Sequence, residues 1–170
     1  MATATISIGA NPEIEGSLKF VGQTDIGPKI EMILTQVQFG PAAAINLIGD
    51  EYGLIELEGR ALLVDGSFGT VTHPDDALVS PNVLGYYVGT GIVSWQAAGE
   101  TTFIELGNCN QFEFEQTVER LDHFQHMNGI RSMDYSPIVQ QSATVRLQLD
   151  EWTAVNLQMY FLDVAPVVTP

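Results

Sequence analysis

Two stretches of strict alternation constrain this chain more than anything else in it. Over residues 111–119, Phe112, Phe114 and Val118 fall on one side of an extended strand, and Glu113, Glu115, Thr117 and Glu119 fall on the other. The reason is that successive strand side chains point to opposite faces. Over residues 142–150, Ala143, Val145, Leu147 and Leu149 oppose Thr144, Arg146 and Gln148 in the same way. Strands of this kind have one face to bury and one to leave wet, which points to an antiparallel sheet over a core. Immediately afterwards, Asp150 and Thr153 are both suited to capping a helix, and Trp152, Val155, Met159 and Leu162 recur at helical spacing. A short amphipathic helix is therefore expected to lie on the sheet.

The rest of the chain reads as further strands. Residues 1–12 make an arm or an edge strand, with Ala4, Ile6 and Ile8 alternating against Thr5 and Ser7. Leu18 and Phe20 mark a short strand over 16–22. Residues 29–39 form a longer one, with Ile33, Val37 and Phe39 on one face and Ile30, Met32 and Leu34 making the other apolar near its start. Residues 41–48 fit two helical turns, because Pro41 suits the first position and Ala42, Ala43 and Ala44 favour helix; the turn formers of 49–53 would end them. Residues 54–64 alternate Ile55, Leu57, Ala61 and Leu63 against Glu56, Glu58 and Arg60. The prolines and mixed polarity of 73–82 mark a connector, and β-prone stretches follow at 86–95 and 101–106. The expected architecture is mainly β: one domain over 1–170, with seven or eight strands and one or two short helices in a β-sandwich or partial barrel.

Charge excludes one broad class. Twenty-one Asp and Glu against six Lys and Arg give a net charge of −15. A nucleic-acid binder needs the opposite sign to neutralise phosphates, so this chain should repel DNA. Hydrophobic residues are 45% of the sequence and charged residues only 16%, so part of the apolar surface is expected to meet other copies of the protein. No apolar run is long enough to span a bilayer, and residues 1–10 lack the basic and apolar regions of a signal peptide, so no membrane partner and synthesis in a cytoplasm are expected. The lone Cys109 leaves no intramolecular disulfide and reads as a small core filler.

Few residues suggest chemistry. Glu119, His123 and His126 would share one face of a helix and are of metal-ligand type, but they run into the turn signal Met127-Asn128-Gly129, so no metal is expected there. Gly89-Thr90-Gly91 lacks the third glycine and the βαβ setting of a dinucleotide fingerprint. The carboxylate pairs Asp50-Glu51 and Asp150-Glu151 sit where turns and helix starts favour acids. Without a nucleophile triad, phosphate loop or cysteine pair, the expectation is a non-enzyme with no cofactor.

Several blocks in series carry a family resemblance. Gly91-Ile92-Val93-Ser94-Trp95, Leu106-Gly107-Asn108, Phe112-Glu113-Phe114, Val118-Glu119-Arg120-Leu121-Asp122-His123-Phe124, Gly129-Ile130-Arg131 and Leu149-Asp150-Glu151-Trp152-Thr153-Ala154 resemble the major tail tube proteins of long-tailed bacteriophages. So do Ile14-Glu15-Gly16-Ser17-Leu18, Val37-Gln38-Phe39, Leu47-Ile48-Gly49-Asp50-Glu51-Tyr52-Gly53 and Leu57-Glu58-Gly59. The order departs from the family's. The part at 83–163 resembles the family's first half and the part at 13–72 its second, with 73–82 between them, which implies a circular permutation.

The resemblance implies a β-sandwich with a flanking helix that assembles as hexameric rings, with strands of the six subunits closing one inner β-barrel. The rings would stack into a tube, and genomic DNA would pass through the lumen without specific binding. Implied partners are the chain itself and other tail proteins (tape measure, terminator and baseplate), and the implied location is the virion tail, reached from the host cytoplasm. On this reading one acidic strand face lines the bore: Glu113, Glu115 and Glu119, or else Glu56 and Glu58. The long polar loop over 123–138, with His123, His126, Asn128, Arg131 and Asp134, would reach a neighbouring subunit or ring and order on assembly. The same fold serves secretion-system tubes and tail terminators. An alternative of another class is an acidic metal-binding module using Glu119, His123 and His126.

Overall fold

The computed structural model describes residues 3–23, 29–48, 53–73, 89–163 and 167–169. Among them, most of the chain is strand: β1 (Thr3–Thr5), β2 (Ile14–Gly22), β3 (Glu31–Pro41), β4 (Ile55–Ala61), β5 (Gly69–Thr72), β6 (Gly91–Ala97), β7 (Ile104–Glu105), β8 (Cys109–Arg120), β9 (His123–Gln125), β10 (Ser132–Tyr135), β11 (Ile138–Leu149) and β12 (Val167–Thr169). One α-helix, α1, spans Ala154–Phe161. No helix among the described residues is long and apolar enough to cross a membrane.

The main sheet is antiparallel in the order β7-β6-β2-β3-β4-β11-β8. β2 pairs along one edge of β3 while β4 and β5 share the other, β5 opposite Glu31 to Leu34 and β4 opposite Val37 to Pro41. The sheet forks there and curls over. Phe20 on β2 stacks on Phe112 on β8 with ring centroids 5.0 Å apart, whereas four strand spacings of about 4.8 Å would hold them about 19 Å apart in a flat sheet. The curl does not close into a barrel: β7 and β8 remain the two edges.

The alternating residues fill the space inside. Leu18, Val37, Phe39, Ile55, Leu57, Val93, Trp95, Val145, Leu147 and Leu149 are buried, with Met159 of α1 sealing one side. Phe39 meets Trp95 edge to face at 5.3 Å. Gly16 marks a close approach between β2 and β6: a Cβ there would stand 2.1 Å from the Gln96 carbonyl oxygen.

Thr153 is the residue that caps α1, accepting from the Asn156 backbone N–H at 3.2 Å. The helix packs on β3 and β4. Its buried face is partly polar, since Asn156 and Gln158 are buried beside Met159. Trp152 lies ahead of the helix and donates its indole N–H to the Gly53 carbonyl at 2.7 Å.

Two expectations need correction. Residues 42–48 form no helix; Pro41 instead ends β3 opposite Leu57, and the chain runs on irregularly. Tertiary pairing has overridden the alanine propensity. The strands also outnumber the expected seven or eight, because short strands with no sequence period add to them: β5, β9, β10 and β12. The turn at 49–52 and the connector at 74–82 lie outside the described residues.

Candidate assembly surfaces

The first surface is the outer face of the curled sheet. Register places Arg146 of β11 between Glu58 of β4 and Glu113 of β8, with Gln148 between Glu56 and Gln111, and Thr144 between Arg60 and Glu115. The two acidic sets that the sequence offered as alternatives therefore lie on one face. Arg146 donates from Nε to Glu58 Oε2 at 3.0 Å and stands 3.9 Å from Glu115. The hydrogen bond to Glu58 raises the Arg146 pKa above its usual value, and the charges of Glu58, Glu115 and Glu113 add to the effect. Gln148 donates to Glu56 at 3.0 Å and Gln111 to Glu113 at 2.7 Å. The polar face continues across β3 and β2, where Gln38 donates to Glu13 at 3.0 Å and Gln36 donates to Glu15. Glu119 sits farther out on β8, opposite Gln140, at the end of the bulge-free part of the pairing.

The second surface is a ribbon. β8 and β11 pair from Cys109 to Arg120, but only the half of β11 from Ala143 onward is buried. The other half overhangs the core and runs into the β9–β10 hairpin. The expected loop is thus a paired structure, held by side chains across it. Ser136 donates its hydroxyl to Asp122 at 2.6 Å, His123 Nδ1 meets Asp134 Oδ1 at 2.6 Å, and the Arg131 guanidinium lies 4.2 Å from the centre of the Phe124 ring. Nor is it chiefly polar. Leu121, Met127, Ile130, Met133 and Tyr135 are each more than half exposed, Met127 and Ile130 at 72% and 73%. A monomer seldom leaves so many large apolar side chains together in water.

His123, His126, Asn128, Arg131 and Asp134 all fall on this ribbon or its turn. The metal-ligand spacing, by contrast, has no helix to support it: Glu119 is in β8, His123 begins β9 and His126 precedes a short 3-10 turn over Met127–Gly129. Among the described residues no group of three or more His, Cys, Asp or Glu could hold a metal ion. Asp150 and Glu151 are occupied in joining loops to the helix start: Asp150 accepts from the Asn108 amide at 2.7 Å, and Glu151 accepts from the Asn108 backbone N–H at 2.9 Å. Gly91 opens β6 with no helix after it.

A third feature had no sequence signal. A groove of about 390 Å³ lies between α1 and the β6–β7 edge. Ile14, Trp95, Ala97, Ile104, Val155 and Met159 form its apolar lining, while Glu13, Glu15, Glu100 and Asp163 stand around it. Its residues come from three separate stretches of chain, so no local pattern could reveal it.

Taken together these features define a mainly β protein with an acidic sheet face and an exposed apolar ribbon. A family described only as protein of unknown function UCP028589 matches residues 86–165, the stretch that carries β6 to α1. No curated protein and no solved structure matches the chain.

Proposed function

We propose that this chain is a structural subunit of a hollow tube of the phage tail kind, assembling as hexameric rings that stack into a conduit for DNA. The observation that carries the reading is β8: a twelve-residue strand at the sheet edge that continues into the exposed apolar ribbon. Such an edge invites pairing with another chain unless it is covered, and ring closure across subunits would cover it. The joined acidic face supplies the second support. Duplex DNA carries one charge per about 1.7 Å of axis, so a bore lined by Glu56, Glu58, Glu113 and Glu115 would repel it and leave it free to slide.

The resemblance also supports the permuted order. β1 and β12 pair antiparallel, so the first and last described strands lie side by side, as a cut through one internal hairpin would leave them. The stretch matched by the uncharacterised family begins at residue 86, close to the start of the half that resembles the tail tube family's first.

Negative-stain microscopy of the purified protein tests the reading. Rings about one subunit thick and tubes built from them are expected. Deleting 126–131 at the ribbon tip should leave a folded subunit that no longer forms tubes. Monomers alone at every protein and salt concentration would overturn the proposal, and isolated rings that never stack would favour the terminator-like alternative.

A further inference from the structure

We propose that the ribbon tip of one copy docks into the groove beside α1 of a second copy, so that Met127 and Ile130 enter the groove and Arg131 meets its carboxylates. The proposal rests on the self-assembly reading above and deepens it by naming both halves of one contact.

The two surfaces match each other in size, polarity and charge. The groove has an apolar floor formed by Trp95, Val155 and Met159, with Ile104, half exposed, at its mouth. Its volume of about 390 Å³ accommodates a Met and an Ile side chain together. The tip presents those two side chains in water, three residues apart across the Met127–Gly129 turn. Glu13, Glu15 and Glu100 meet no Lys or Arg among the described residues, and Arg131 likewise meets no carboxylate there, having only the Phe124 ring beneath it. Burying the apolar pair against the floor would drive the contact, and the guanidinium would fix its direction by matching the rim charges.

The tip lines no part of its own chain's groove, so the contact is one between copies. The ribbon prolongs β8 at one edge of the main sheet, and the groove flanks β7 at the other. A surface that fits a different surface of the next copy makes a heterologous, head-to-tail contact, which closes into a ring or propagates as a filament. The acidic rim also explains why the tip carries Arg131 in a chain with so few cations.

Cysteine pairing between two chains tests this directly. In a Cys109→Ser background, one chain carries Ile130→Cys and the other Thr102→Cys, a position on the groove wall; a control chain carries Thr70→Cys on the far side of the sheet. All three positions are exposed. On mild oxidation the Ile130→Cys and Thr102→Cys chains should form a disulfide-linked dimer, in yield on the order of tenfold above the Thr70→Cys control, because docking raises the effective concentration of the two thiols. A second test needs no cysteine: Arg131→Glu should weaken assembly, and Glu100→Arg in the same chain should restore it. Microscopy of the unmodified protein separates the two levels of inference. Rings or tubes without the selective cross-link, and without rescue by Glu100→Arg, overturn the docking and leave the tube reading standing. The selective cross-link in a protein that forms only dimers supports the docking and counts against the tube. Neither assemblies nor cross-link overturns both.

Discussion

The Phe20 and Phe112 rings lie within 7° of parallel, although β3, β4 and β11 stand between their strands in the sheet. That stack is what folds one sheet into two facing layers. Both rings are partly buried against the core, so removing one leaves a gap that only a shift of the β8 layer could fill. Phe112→Ala should destabilise the subunit by about 3 kcal/mol, the lower end for a Phe truncation because the ring is not fully enclosed. For a chain of this length that lowers the thermal midpoint by roughly 6–12 °C, measurable by circular dichroism. A change within about 0.5 kcal/mol, the range for inert surface sites, would show that the stack does not hold the layers together.

The sequence and the structure agree where physics is local. Alternation in 111–119 and 142–150 is visible residue by residue, and Val145, Leu147 and Leu149 are buried as their period requires. What alternation does not contain is which strand neighbours which. That Glu56 and Glu58 share a face with Glu113 and Glu115 depends on β11 lying between β4 and β8, a pairing between segments far apart in the chain. In sequence the ribbon reads as a polar loop for a related reason. His123, Asp122 and Asp134 supplied the polar impression, yet each bonds to a partner across the hairpin and leaves Met127, Ile130 and Met133 facing water. The alanine run at 42–44 shows the converse, a strong local preference set aside where Glu56 and Tyr160 hold the backbone in an irregular path.

Asn156 holds α1 in place through polar contacts that helical periodicity does not register. Its side-chain amide donates to the Leu106 carbonyl at 2.8 Å in a buried setting and to the Glu151 carbonyl at 2.7 Å in a partly buried one. Its own Oδ1 is buried with no hydrogen-bond partner among the described residues. Asn156→Ala would strand the Leu106 carbonyl away from water, and an unsatisfied buried group costs about 1–3 kcal/mol. The expected loss is about 1–3 kcal/mol in urea unfolding, with the midpoint shifted and the slope unchanged. Asn156→Asp should be worse, because it removes the donor and adds a buried charge. If Asn156→Ala unfolds at the same urea concentration as the parent, the amide is not what anchors the helix.

Cys109 provides a pH dependence. Burial raises its thiol pKa above the ordinary value of 9.0; backbone hydrogen bonds near Gln111 and Gln148 oppose the rise, and the Asp150 charge adds to it. The unfolded chain therefore loses this proton at lower pH than the native chain does. Stability from this group is fully present below the unfolded pKa and declines as pH rises above it through the folded one. Unfolding free energy should accordingly fall as alkaline pH is approached, and Cys109→Ser should flatten that slope while leaving the neutral-pH unfolding profile similar. The native thiol should also react slowly with a disulfide reagent at neutral pH, since the thiolate is the nucleophile. Fast labelling of the folded protein at neutral pH would contradict the burial that raises the pKa.

Arg146 is the cation on which the acidic face depends most closely. It is exposed and shared between Glu58 and Glu115, so its removal should hardly change the thermal midpoint of the isolated subunit, as is usual for surface ion pairs. Its effect should appear on assembly instead. In the proposed tube, several copies of this face around one bore would add repulsion that reaches about 10 Å at 0.1 M salt and farther in dilute buffer. The parent protein should therefore assemble less readily at low salt. Arg146→Gln should shift the salt needed for assembly upward, followed by light scattering across a salt series, and Glu58→Gln should shift it downward. Because both changes leave the buried face untouched, a shift in opposite directions would locate the repulsion on this surface. Equal assembly of all three proteins at low and high salt would place these carboxylates away from any crowded interior.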